Sequence, residues 1–443
     1  MTKMQLNILL WMFFLPIGLW AAEGDTLSLT LADAVTIGDS SGYSVLIASE
    51  QLAEARGRNL EAWSGILPGV TLSGDYVNSN DPVSVFGLKL KQGVFSEADF
   101  AIHSLNHPDE FDNFTTRVQV KVPLVNLDAI FGKTAAGAMQ QARAHSLERA
   151  RQALTFQVKT AYYALILSNE SLRAIDDAIE TARAHRDNAQ TAFEQGMVSR
   201  ADYLAAEVRL AELSEQRIVA MNQIYQVSDG LKLLLGMSQE PRLLYPADTL
   251  TIPASPALAS TGPEMLANRA DLLALQSQTS AARRSLWASR GAWLPRLNAF
   301  GAHEWNSPDA FSQDASNWTV GVQLSWNIID GFGHLGRVRQ NSARLRQVKF
   351  QYQQAVHQAR NQVAAAQRNL TAARQRIHVA QAAVQQAQES LNITRERFQE
   401  GLEKTADLLE KEVMRTRAQL RFLKARHDYN VALDELTFAL GAA

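Results

Sequence analysis

The chain has 443 residues, 46% of them hydrophobic, and a formal net charge of -2. It is long enough to bury large surfaces and lacks the basic excess typical of nucleic-acid proteins. It contains no cysteine, which excludes a disulfide framework, thiolate metal sites and a thiol nucleophile.

In chain order, residues 1–22 read as an export signal: Lys3 supplies the positive start, and Leu6 through Trp20 form an apolar stretch ending near Ala21 and Ala22. Leu19 or Trp20 sits where cleavage prefers a small residue. The other reading, a short membrane anchor, conflicts with Pro16, Gly18 and the modest length. No later segment has the roughly 18 consecutive apolar residues of a spanning helix, so any membrane crossing has to be a barrel.

The remainder is written twice. ILPGVTLSG (66–74) is echoed by WLPRLNAFG (293–301), VQVKVPLVNLD (118–128) by VGVQLSWNIID (320–330), and FEQGMVSRADYLAAE (193–207) by FQEGLEKTADLLEKE (398–412). Each half is predicted to run helix, strand, loop, strand, long helix, turn, helix. The first repeat covers 23–236 with a β-hairpin near 67–126, and the second covers 263–443 with a hairpin near 294–329. The proline-rich stretch 237–262, with Pro241, Pro246, Pro253 and Pro256, links them.

The strands alternate. Val118, Val120, Val122 and Leu124 are interleaved with Gln119, Lys121 and Pro123, and Val320, Val322, Leu324, Trp326 and Ile328 with Gly321, Gln323, Ser325 and Asn327. One oily and one polar face suit a lipid-facing barrel strand of about 10 residues, and equally a soluble sandwich. Phe300 breaks the pattern, falling on the polar parity. Trp305, Trp318 and Trp326, near strand ends, are candidates for an interfacial aromatic girdle. Four strands per chain are too few for a barrel, so closure requires several chains; two or three would both give an even count.

No proline lies between Pro123 and Pro241 or after Pro308, so very long helices are predicted. The first, about Leu127 to Gln195, would extend roughly 100 Å at ~1.5 Å per residue. Tyr352, Val356, Ala359, Val363, Ala366, Leu370, Ala373, Ile377 and Ala380 follow alternating steps of four and three, as do Leu154, Val158, Ala161, Leu165, Ser168, Leu172, Ile175 and Ile179. This is a heptad seam, and it predicts a left-handed, coiled-coil-like array.

Each long helix stops at a glycine. Gly196, Met197, Val198 and Ser199 form the first turn; Gly401, Leu402 and Thr405 form the second, a glycine stop followed by a polar start. Asp202 reads as a helix cap or dipole partner. Asp407 and Glu410 are three apart and share a helix face.

Other candidate sites are weaker. His103 and His107 are four apart, but a lone pair in an exposed loop is usually solvated surface. GFGHLG after a strand is a turn and not a nucleotide loop. Nine basic residues between Arg337 and Arg376 are read as partners of acids on adjacent helices such as Asp176, Asp177, Glu180 or Glu54; a basic belt is the other reading. No catalytic constellation, cofactor loop or metal spacing is visible.

Two copies of helix, hairpin and long helical hairpin behind an export signal resemble the TolC-like outer-membrane efflux proteins over essentially the whole mature chain. The loop DPVSVFGLKLKQGVFSEADF with LNHP (81–108) is similar to the long outer loop of that family, and GMVSRADYLAAE and GLEKTADLLEKE to its periplasmic turns. The resemblance implies a mainly α fold with a transmembrane β-barrel: a homotrimer of twelve strands in outer-membrane lipid over a twelve-helix periplasmic tunnel. It further implies a passive exit channel for small molecules or polypeptides, with a periplasmic adaptor and an inner-membrane transporter docked at the turns. Asp407 and Glu410 match the acidic aperture positions, with Asp202 beside them, whereas Glu403 stands where some members have a basic tip residue. The competing class is a structural periplasmic coiled-coil protein that spaces envelope layers.

Overall fold

A computed structural model describes residues 26–252, 266–310, 312 and 315–442. The expected export signal and residues 253–262 of the expected linker lie outside them.

Helices dominate. Strand β1 (Thr26–Leu29) leads into α1 (Leu31–Ser41) and α2 (Tyr43–Glu61). A hairpin of β2 (Gly69–Ser79) and β3 (Phe111–Val125) encloses two helices, α3 (Pro82–Gln92) and α4 (Ile102–Asn106). The long helix α5 (Leu127–Glu194) then turns into α6 (Arg200–Leu235). After β4 (Leu243–Pro246) the order recurs: α7 (Ala270–Gly291), β5 (Arg296–Ser307), β6 (Ala315–Ser325), α8 (Gly333–Gln399) and α9 (Thr405–Leu440). The duplication is metric as well as topological, with 68 and 67 residues in α5 and α8, and 36 in each of α6 and α9.

The seam packs as its spacing demands. In α8, Ala359, Val363, Ala366, Leu370, Ala373 and Ile377 are buried and face Ala425, Tyr429, Ala432 and Leu436 of α9. In α5, Leu154, Val158, Leu165 and Ile166 join Ile224, Leu231 and Leu235 of α6 in a second core. Each buried leucine or valine contributes about 1.5–3 kcal/mol on leaving water. Ala161, Ser168 and Leu172 are only half-buried.

The two repeats are fused through α5 and α9. Asp434 accepts from Lys159 at 3.0 Å and from the Tyr163 hydroxyl at 2.9 Å, Arg426 pairs with Glu170 at 3.6 Å, and His185 meets Glu412 at 2.6 Å. Buried Arg269 clasps the end of α9, donating to the Ala439 carbonyl at 2.9 Å while its other nitrogens hold Asp271 and Gln362.

Part of the expected linker is structured. Leu243–Pro246 pairs in parallel with Thr26–Leu29, and the Tyr162 hydroxyl donates to the Leu29 carbonyl at 2.7 Å to anchor this small sheet on α5. The four remaining strands form one antiparallel sheet, β2-β3-β5-β6. Its register shifts between Pro123 and Val125, where proline lacks the donor that the ladder needs.

Candidate functional site

The register sorts the sheet into two chemistries. Across the four strands, Leu72, Val118, His303 and Trp318 share one face, as do Val70, Val120, Gly301 and Val320. The next rows alternate to the other face: Ser73, Arg117, Glu304 and Asn317, then Thr71, Gln119, Ala302 and Thr319. Val70, Leu72, Val320, Val322 and Leu324 are 64–71% exposed, and a contiguous apolar patch of this kind marks an interaction or membrane surface. The strands run 11, 15, 12 and 11 residues, at or above the ~9–11 needed to cross a bilayer. Trp318 and Trp326, both exposed, are separated by roughly 26 Å at about 3.3 Å per residue, matching an apolar band about 25 Å tall. Trp305 packs against His303 with ring centres 4.4 Å apart. Among the described residues, strands β2 and β6 have no partner on their outer sides.

Where strand becomes helix, the two repeats use equivalent aspartates. Asp128 accepts from Arg296. Asp330 caps α8 by accepting from the His334 backbone at 3.1 Å and from Arg337 at 2.9 Å. This settles Arg337, and Arg376 pairs with Asp428 of α9 at 3.1 Å. Two of the acids named from sequence as partners of this basic stretch are engaged elsewhere, Glu54 with Arg58 and Asp176 with Arg217.

At the far end of the helices, Gly196 and Gly401 adopt positive φ of 71° and 76°, a conformation that costs glycine nothing. The Met197 amide reaches back to the Ala192 carbonyl at 2.8 Å and the Leu402 amide to the Arg397 carbonyl at 2.9 Å, so both turns close as Schellman motifs. Met197 and Leu402 project from them, exposed, and Val198 is half-buried. In the first turn Ser199 and Asp202 form a capping box, with the Asp202 carboxylate accepting from the Ser199 amide at 3.1 Å and hydroxyl at 2.6 Å. The second turn departs from expectation: Lys404 is the cap and Thr405 is already helical, with no side-chain cap bond. Asp407 is half-buried on the first turn of α9, about one helical turn from exposed Glu410. Glu403 is held by Arg397 at 2.9 Å, tying the turn back to its own helix.

His103 on α4 and His107 just beyond its end lie close, ring centres 5.3 Å apart, but among the described residues no group of three or more potential ligands gathers. No described helix is long and apolar enough to cross a membrane.

The amphipathic sheet, the paired long helices and the duplicated turns find their match among known proteins. The sequence matches the outer membrane efflux protein family over residues 44–237 and 262–442. The chain belongs to this family. Its fold is similar to that of the Campylobacter jejuni CmeC outer membrane channel, with a TM-score of 0.81 at 17% identity over 93% of this chain and 85% of that one. The outer membrane protein VceC from Vibrio cholerae gives 0.76 at 18% identity over 93% and 96%. In sequence, this efflux-family member is 26% identical over 250 residues to the alkaline protease secretion protein AprF of Pseudomonas aeruginosa. That match covers 53% of the chain and spans about half, 50%, of AprF's length.

Sequence reasoning missed two features of this region. The 81–108 loop is folded, and the His185–Glu412 contact joins the repeats close to the turns. Asp81-Pro82 before an apolar run, ending at Gly93, carries a helix start and stop that identify α3.

Proposed function

We propose that three copies of this chain close into a passive exit channel of the outer membrane. Each copy contributes its four strands to a twelve-stranded barrel in outer-membrane lipid and its helices to a tunnel reaching into the periplasm. The observation that carries this reading is the apolar face of the β2-β3-β5-β6 sheet together with its two open edges. Unpaired backbone groups are not tolerated in hydrocarbon, so β6 of one copy must pair with β2 of the next until the ring closes. Repeats 23–236 and 263–443 alternate around the wall.

The turns at Gly196 and Gly401 form the pump-side mouth. Exposed Met197 and Leu402 offer apolar contacts to a periplasmic adaptor, with an inner-membrane transporter beyond it supplying the driving force. Asp407 and Glu410 line the constriction as a carboxylate ring, and Asp202 holds the neighbouring turn. The name of AprF supports a polypeptide as cargo; the efflux in the family's description leaves small molecules as the second class. An envelope spacer would have no use for two amphipathic hairpins at matching places. Purified protein in a planar bilayer should give discrete conductance steps, and a preparation that inserts without conducting would contradict the reading.

A further inference from the structure

The β2-β3 connection is a folded unit. Asp81 caps α3 by accepting from the Ser84 amide at 2.8 Å, and Gly93 ends the helix at φ 71°. Phe95 packs edge-on against Phe86 at 4.9 Å and Phe100 at 5.2 Å, and Lys89 pairs with Asp99 at 2.6 Å.

This unit lies on the polar face of the sheet. Lys91 donates to one oxygen of Glu304 at 3.0 Å, while Arg117 donates to the other at 2.7 Å. Gln92 donates to the Asn113 side chain and to the Asp112 carbonyl, each at 2.8 Å, and Asn317 reaches the Lys91 carbonyl at 3.4 Å. Arg117, Glu304 and Asn317 share one cross-strand row. Asn113 and Asn306, bonded to each other at 3.0 Å, are 0% exposed. Gln92 at the end of α3 covers Asn113.

We propose that residues 82–106 form an outer gate folded into the barrel lumen, latched by Lys91 bridging to Glu304 and Arg117. This rests on the channel reading, in which the polar face lines the lumen. Three such caps narrow the exit, and cargo leaves by displacing them. Val83, Leu90 and Ile102, exposed on the cap, make it an apolar constriction of the type that impedes ions by shedding water.

The test uses the full-length protein, whose lack of cysteine makes Asn306→Cys a clean reporter. On intact cells, a membrane-impermeant maleimide should label Asn306→Cys slowly. Lys91→Glu sets two carboxylates against each other and should speed labelling about tenfold, the change expected from losing a hydrogen bond to a charged group. Lys91→Arg should stay slow. In planar bilayers, Lys91→Glu and a variant with 82–106 replaced by a short Gly-Ser linker should both conduct more than the unmodified channel. Equal labelling in all backgrounds, or unchanged conductance in both opened variants while the unmodified channel conducts normally, overturns the gate. If the unmodified protein itself never conducts, the channel reading fails and the gate falls with it.

Discussion

The Phe300 ring lies over Gly321, its cross-strand partner: a Cβ on Gly321 would stand 2.7 Å from the ring's Cζ. Phe300 has the parity of the polar face, and the missing side chain opposite makes room for it there. Gly321→Leu should therefore expel the ring and destabilise the assembled protein by about 1–3 kcal/mol. Thermal melting of the detergent-extracted assembly checks this, with Gly301→Leu on the opposite face as the comparison.

The helical seam makes a graded prediction. Ala373 is fully buried between α8 and α9, whereas Ala380 is only half-buried beside an open groove of about 840 Å³. Ala373→Phe should cost about 1–3 kcal/mol, and Ala380→Phe distinctly less. Equal melting of the two variants would show that the groove is filled in the assembly.

Acid should loosen the clasp on α9. Burial alone would raise the Asp271 carboxyl, but the adjoining Arg269 and Arg149 overcome it and hold it below the ordinary carboxylate value. A depressed folded-state value stabilises in full above the ordinary pKa of about 3.9 and is lost as pH falls through the lowered one. Melting temperature should thus drop below about pH 4, and Asp271→Asn, already weakened by on the order of 1–3 kcal/mol, should show a shallower drop.

At the turns, Asp407→Asn with Glu410→Gln should weaken cation preference and blockade by multivalent cations in single-channel recordings, since a ring of like charge attracts cations. Gly401→Val, strained at φ 76°, should impair export while leaving membrane insertion intact. Unchanged selectivity in the double variant would remove these carboxylates from the constriction.

What could be read from sequence was whatever is periodic or repeated. The first long helix was expected from Leu127 to Gln195 and runs Leu127–Glu194, because a proline-free heptad seam leaves few alternatives. The alternating strands were legible for the same reason, although one chain could not decide between barrel and sandwich. The α3 cap was not legible as a lumen feature, because its latch joins Lys91 to Glu304, 213 residues apart. The cap of α9 was misplaced by one residue: Lys404, not Thr405, stands where Ser199 does, and the two positions share an extended backbone (φ -88°, ψ 154° and φ -76°, ψ 158°) but differ in side chain.

In the proposed channel one barrel is shared by several chains. Native mass measurement of the protein extracted from outer membranes tests it most directly. Three copies are expected, supplying twelve strands with no free edge; a stable monomer would overturn the shared barrel.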